Sequence, residues 1–123
     1  MKIILSPSKR QNKDLELNNP IKQLIFPNKT NKLYNLISKK DKSELGKLLN
    51  VSNNLLDKSY NFYKDFNSSS KKHCITTYNG LVFKNINIKD YSKKELEYLE
   101  NNLRILSAIY GILTPMTGIY KYR

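Results

Sequence analysis

The strongest constraint on how this chain folds is a helix signature near its C-terminal end. Ser92-Lys93-Lys94-Glu95 has the form of a capping box, a hydroxyl N-cap followed three residues later by a glutamate that reaches back to the cap's own N–H. Leu96, Leu99, Leu103, Leu106 and Tyr110 follow at alternating steps of three and four. That spacing predicts one apolar stripe on a helix of about five turns. Gly111 is suited to end it through a left-handed residue, and Pro115 prevents its resumption.

The rest of the chain alternates strand and helix signals. Residues 2–5 read as a buried strand, stopped by Ser6-Pro7 because proline removes a ladder donor. Residues 6–19 are polar and read as a loop, and residues 20–40 carry Leu33, Leu36 and Ile37 at helical spacing. Asp41-Lys42-Ser43-Glu44 is a second helix start, with Leu45, Leu48 and Leu49 as its apolar face. Another helix is predicted from near Ser52 through Leu55 and Leu56 to about Phe66. Its Tyr60 and Tyr63 read as core aromatics, with base stacking as the alternative. The tract 67–72 is a serine- and lysine-rich connector. Ile75-Thr76-Thr77-Tyr78 is β-branched and aromatic, which predicts a strand, and Asn79-Gly80 is a turn pair that readily takes positive φ. Leu81-Val82-Phe83 reads as a short strand or a loop. The fold class is therefore mixed α/β, and 123 residues suffice for one domain or a piece of one. No internal repeat or coiled-coil heptad interrupts the pattern.

Composition narrows the partners. The formal net charge is +12, from 22 Lys and Arg against 10 Asp and Glu. Lysine and asparagine are both heavily used, as in Asn18-Asn19, Asn53-Asn54 and Asn101-Asn102, a bias that AT-rich codons produce on their own. A surplus of this size nevertheless creates a field that attracts polyanions. Two readings therefore stand, nucleic-acid or nucleotide contact and plain codon bias. Arginine occurs only at Arg10, Arg104 and Arg123, the positions where a planar bidentate donor would matter most. The single cysteine, Cys74, excludes an internal disulfide framework and fits a reducing compartment. No stretch approaches the roughly 20 apolar residues of a membrane span, and Met1–Leu5 is too short for a secretory core. A cytoplasmic protein without membrane contact is expected.

Three segments stand above this background. Ser6-Pro7-Ser8-Lys9-Arg10 places hydroxyls and cations directly after a strand, where open α/β sheets receive anionic ligands. Tyr78-Asn79-Gly80 offers either a backbone approach to a ligand or a structural hairpin. In the third, Leu103 to Leu113, the predicted helix sets Arg104 and Ser107 one turn apart, and the glycine turn resembles a helix-hairpin-helix near 96–115. There is no dinucleotide fingerprint, Walker loop or zinc pattern. His73 beside Cys74 cannot complete a metal site, and no partner orients the pair for nucleophilic catalysis. Neither a metal nor a cofactor is expected.

Together, in order and spacing, these segments resemble the bacterial YaaA family of peroxide-stress-resistance proteins. That family opens with a strand and a Ser-Pro-Ala-Lys-Thr-like motif, matched here by Ser6-Pro7-Ser8-Lys9-Arg10. A helical stretch similar to Leu48 through Phe62 follows, and then an aromatic–X–Gly turn, here Tyr78-Asn79-Gly80 with Val82-Phe83 behind it. The most specific likeness is to its Leu-Arg-X-Leu-Ser-Gly-Leu-Tyr-Gly-X-Leu-Arg-Pro run leading to Pro-Tyr-Arg. This chain has Leu103-Arg104-Ile105-Leu106-Ser107-Ala108-Ile109-Tyr110-Gly111-Ile112-Leu113-Thr114-Pro115, and then Tyr122-Arg123. It departs from the pattern at Thr114, where an arginine is usual, at Met116-Thr117, and at Lys121, which replaces a proline.

The resemblance covers the N-terminal half of the family, so a truncated frame, a split gene or a partial chain is expected, folding as a single partial domain over 1–123. It implies an α/β fold with a positively charged cleft and a helix-hairpin-helix-like element. It also implies a cytosolic protein that binds DNA and limits iron-dependent oxidative damage. On that reading Lys9, Arg10, Arg104 and Arg123 contact phosphates in a salt-sensitive way. Ser6, Ser8 and Ser107 supply hydroxyls, Asn79 and Gly80 shape the cleft, and Tyr110, Gly111 and Tyr122 complete the site. An alternative is an enzyme whose basic cleft binds a nucleotide or another phosphorylated small molecule, although catalysis is the less favoured reading and no catalytic residue is assigned. A further alternative is a fragment without independent activity, whose helix face needs elements beyond residue 123 or a separately encoded C-terminal half. Direct iron sequestration by this half is disfavoured by its one histidine and one cysteine.

Overall fold

The computed structural model describes residues 1–11, 15–66 and 68–121. After strand β1 (Ile3–Leu5) the chain crosses to three helices, α1 (Pro27–Ser38), α2 (Lys42–Leu49) and α3 (Asn53–Lys64). Proline at its first turn suits α1, because its fixed φ is already helical and the missing N–H has no partner there. The predicted box at α2 forms in full. Glu44 N donates to Asp41 Oδ1 at 2.8 Å, and Asp41 N donates to Glu44 Oε2 at 3.1 Å. Leu45 is buried where α2 meets α3.

From α3 the core passes to the C-terminal segment through aromatics. The buried Phe66 stacks on Tyr34 at 4.6 Å between ring centroids, faces Tyr110 at 6.0 Å and meets Tyr120 edge-on at 5.2 Å. Tyr63 is buried and Tyr60 half-buried, which fits the core reading of both. Strand β2 (Lys72–His73) and the one-turn helices α4 (Cys74–Thr77) and α5 (Leu81–Lys84) follow. A short 3-10 turn (Ile88–Asp90) leads to α6 (Lys93–Asn102), β3 (Leu103–Ser107), β4 (Gly111–Leu113) and β5 (Gly118–Ile119).

Two small sheets organise these elements. β3 lies between β1, which runs parallel to it, and β4, which runs antiparallel. Ile4 stands opposite Arg104, Leu5 opposite Ile105, and Leu106 opposite Ile112. β2 pairs antiparallel with β5, and Cys74 N extends the clasp to Thr117 O at 2.8 Å. Among the described residues, no helix is long and apolar enough to cross a membrane.

The predicted five-turn helix is corrected at Asn102. Its capping box is present, with Ser92 N donating to Glu95 Oε2 at 2.7 Å, but at Leu103 the backbone turns extended (φ −89°, ψ 136°). Leu103, Ile105 and Ser107 are buried while Leu106 is exposed, the two-residue period of a strand. Ladders to β1 and β4 replace the bonds a helix would make internally, and the strand buries Leu103, Ile105 and Ser107 on one face, so tertiary context overrides the helical spacing. No helix-hairpin-helix forms over 96–115. The segment is a helix running into a β-hairpin.

Gly111 is left-handed as expected (φ +75°), but in the turn from β3 to β4 rather than at a helix end. A side chain there would also meet Phe26, whose Cδ2 lies 2.9 Å from the Cβ position. The predicted strand 75–78 is likewise replaced by a helical turn. The hydroxyls of Thr76 and Thr77 both donate to His73 O, at 3.0 and 2.9 Å, and such local bonds favour turns over strands. Leu81-Val82-Phe83 becomes α5. Finally, β1 is not buried. Ile3 and Ile4 are exposed, and only Leu5 is partly covered.

Candidate functional site

The first two segments singled out in the sequence meet in space. Leaving β1, the chain passes Ser6 and Pro7 and lies against the turn after α4. Asn79 N donates to Arg10 O at 2.8 Å, and Gln11 forms an antiparallel bridge with Tyr78. Ser8 Oγ accepts from Arg10 N at 3.1 Å, which folds the segment back on itself. Gly80 has φ −89°, so positive φ is not its role, contrary to expectation. Its role is proximity, because a Cβ at Gly80 would stand 2.8 Å from Ser8 Oγ and 3.1 Å from Ser8 Cβ. The result is a backbone-fixed platform on which Ser6, Lys9 and Arg10 are exposed and Ser8, Asn79 and Gly80 are half-buried.

A cleft of about 290 Å³ opens beside Asn79. Tyr78, Phe83, Lys84, Lys89 and Asp90 help to line it. The rings of Tyr78 and Phe83 lie 5.3 Å apart and give its floor an apolar character. The lysines of α5 and the 3-10 turn were not singled out in the sequence. Nothing in their local pattern separates them from the chain's many other lysines, and only the fold brings them to Asn79.

The third segment is placed differently. Arg104 lies on β3 and faces away from the buried side of the sheet, whereas Ser107 faces the core, so the two do not share a helix face. Arg104 Nη1 donates to Glu100 O at 2.9 Å and to Leu103 O at 2.7 Å. It thereby satisfies carbonyls left open where α6 stops. Ser107 Oγ accepts from Tyr110 N at 3.2 Å and holds the turn that Gly111 completes. The Tyr110 hydroxyl, buried, donates to Tyr120 O at 2.8 Å and accepts from Tyr120 N at 3.0 Å. Because β1 and β3 are parallel, Ser6 and Ser107 leave the same edge of the sheet. Tyr122 and Arg123 lie outside the described residues.

The chemistry available elsewhere is limited. Burial, with the nearby charge of Glu100, pushes the Cys74 thiol well above its usual range. Its Sγ lies 2.9 Å from Thr114 O. His73 is buried with Nε2 at 2.9 Å from Asn19 O. Among the described residues, no three His, Cys, Asp or Glu side chains gather to hold a metal ion. An acidic group that the sequence reading passed over, Glu100, is largely buried on α6. It pairs with Lys22 at 2.8 Å and accepts from Met116 N at 2.9 Å, tying α6 to the segment before β5.

Comparison with known proteins adds what geometry alone does not. The family model described as "Peroxide stress protein YaaA" matches residues 1–123. A UPF0246 protein of Finegoldia magna is 37% identical over 123 residues, covering all of this chain and 50% of the relative. UPF0246 proteins of Rickettsia felis and Fusobacterium nucleatum are each 35% identical, with 50% and 51% of their lengths covered. The chain thus spans about half the length of these relatives, and with all 123 of its residues matched, it belongs to the YaaA family of peroxide stress proteins.

Proposed function

We propose that this chain provides the anion-contacting part of a peroxide-stress protein that binds DNA and helps to limit iron-dependent oxidative damage. The observation that carries the reading is the platform formed by Ser6–Arg10 on Tyr78–Gly80. Lysines on a mobile surface lose rotamer freedom whenever they grip a phosphate. The Arg10 carbonyl is held by the Asn79 N–H, Gln11 by the Tyr78 bridge, and the Ser8 hydroxyl accepts across Lys9 from Arg10 N. The backbone share of the ordering is therefore complete before binding, while the side chains still order on contact. Ser6 and Ser8 add hydroxyls, and Asn79 and Gly80 set the spacing. Arg104, Ser107, Tyr110 and Gly111 act on this reading by shaping the same sheet edge. Arg123 retains its expected phosphate role, with Tyr122 beside it in sequence as part of the site.

The test is duplex-DNA binding by fluorescence anisotropy across a salt series. Lys9→Ala/Arg10→Ala should reduce the magnitude of the log–log salt slope by about 2, since each phosphate contact contributes roughly 0.9. Lys58→Ala, at an exposed site on α3, serves as the control, because Lys71 lies over the Tyr120 ring and is only partly exposed. Salt-independent binding would refute the phosphate-contact reading, and equal losses for the double variant and the control would leave diffuse charge as the whole explanation.

A second reading rests on the cleft beside Asn79. Two lysines and an asparagine around an aromatic floor suit a nucleotide or another phosphorylated small molecule. A saturable thermal shift with one nucleotide, unaffected by duplex DNA, would favour this reading over the first.

A further inference from the structure

The outer face of the β1–β3–β4 sheet is apolar and uncovered. Register and alternation place Ile4, Arg104, Leu106 and Ile112 on that face, opposite the buried Leu103, Ile105 and Leu113. Ile4 is 64% exposed, Leu106 45% and Ile112 38%. Strands in parallel pairing are normally covered on both faces, and their sequences read as unbroken apolar runs. Ile3-Ile4-Leu5 is such a run, yet Ile3 and Ile4 are exposed and only Leu5 is partly covered. The sequence of β1 is therefore written for a layer that the described residues do not supply.

We propose that this face is the docking surface for the additional chain that the relatives carry. The relatives of Finegoldia magna and Rickettsia felis are about twice as long as the part this chain matches, which is enough for a second layer of the same size. Arg104 fits such an interface. Its guanidinium bonds main-chain carbonyls at the end of α6, so its alkyl stem can be covered while the charged head stays at the rim with those partners. The proposal rests on family membership and the sheet geometry, and is independent of the DNA-binding reading.

Cysteine labelling tests it, because the native Cys74 is buried and supplies little background. Leu106→Cys and Ile112→Cys are made in this chain alone, and in a chimera that replaces the matched half of the Finegoldia magna relative with it. Leu48→Cys, at an exposed site on α2, is the control. Both sheet cysteines should react with a maleimide at least tenfold more slowly in the chimera than in the isolated chain, while the control rate stays the same. Equal rates in the two contexts would overturn the proposal. Slow labelling in the isolated chain, together with a dimeric mass by light scattering, would overturn it in favour of a second copy on the same face. Unchanged melting temperatures of the isolated-chain variants would show that the exposed positions tolerate the substitution.

Discussion

Tyr110→Phe separates a structural tyrosine from a ligand-binding one. The substitution keeps the ring against Phe66 and removes one hydroxyl, which donates to Tyr120 O at 2.8 Å and accepts from Tyr120 N at 3.0 Å. Each lost bond is worth about 1 kcal/mol net, and a buried group left unpaired costs about 1–3 kcal/mol. Tyr120 is only half-buried, so water recovers part of the second amount. The expected destabilisation is therefore about 2 kcal/mol, which at this chain length lowers Tm by roughly 6–12 °C. Urea unfolding with matched m-values gives the free energy, and anisotropy at a temperature where both proteins are folded gives DNA affinity. Stability should fall and affinity should hold. A stability change under about 0.5 kcal/mol would refute a structural role for the hydroxyl, since its two bonds to Tyr120 would then carry no net weight. A loss of affinity at unchanged stability would return the hydroxyl to the binding site.

Two further outcomes follow from the same geometry. Gly80→Ala should destabilise the chain by about 1 kcal/mol, because the crowding of Ser8 outweighs the entropy gained from losing a glycine. Adding Ser8→Gly should restore stability, and a double-mutant cycle showing no coupling would disprove the contact. The Ser92 hydroxyl and backbone N–H hold the Glu95 carboxyl below its ordinary range, so its contribution is present above the unfolded pKa and lost as pH falls through the lower folded one. Glu95→Gln should therefore lower the urea midpoint at neutral pH and flatten its decline on the acid side, and an unchanged acid-side slope would remove Glu95 from that account.

What the sequence disclosed and what it hid divide along the range of the interactions. The starts of α2 and α6 were legible because a capping box is complete within four residues, and Asp41–Glu44 and Ser92–Glu95 carry their whole instruction locally. The end of α6 was not. Leu103 satisfies a helical stripe and a strand alternation equally well, and the choice is made by β1, about a hundred residues earlier. Ile75–Tyr78 misled for a related reason, since its threonines suit a strand until their hydroxyls find His73 O. At the site, Ser6–Arg10 could be recognised by its position after a strand. Its contact with Asn79 and Gly80 depends on a backbone bond and a missing Cβ, neither of which has a side-chain signature.

The same sheet accounts for both proposals, and this lets them be told apart. The platform leaves the C-terminal edge of β1, whereas the exposed apolar residues lie on its outer face. Covering that face would bury Ile4 and tighten β1 against β3, and thereby steady the strand that leads into the segment carrying Lys9 and Arg10. It need not add a single cation. If the DNA-binding reading holds, the chimera should bind duplex DNA more tightly than the isolated chain with nearly the same salt slope, because the slope counts phosphates neutralised and not how firmly the contacting residues are held. Preorganisation and added charge both raise affinity, but only added charge changes that slope. The relation of slope to affinity therefore distinguishes a second half that stiffens the platform from one that brings a binding surface of its own.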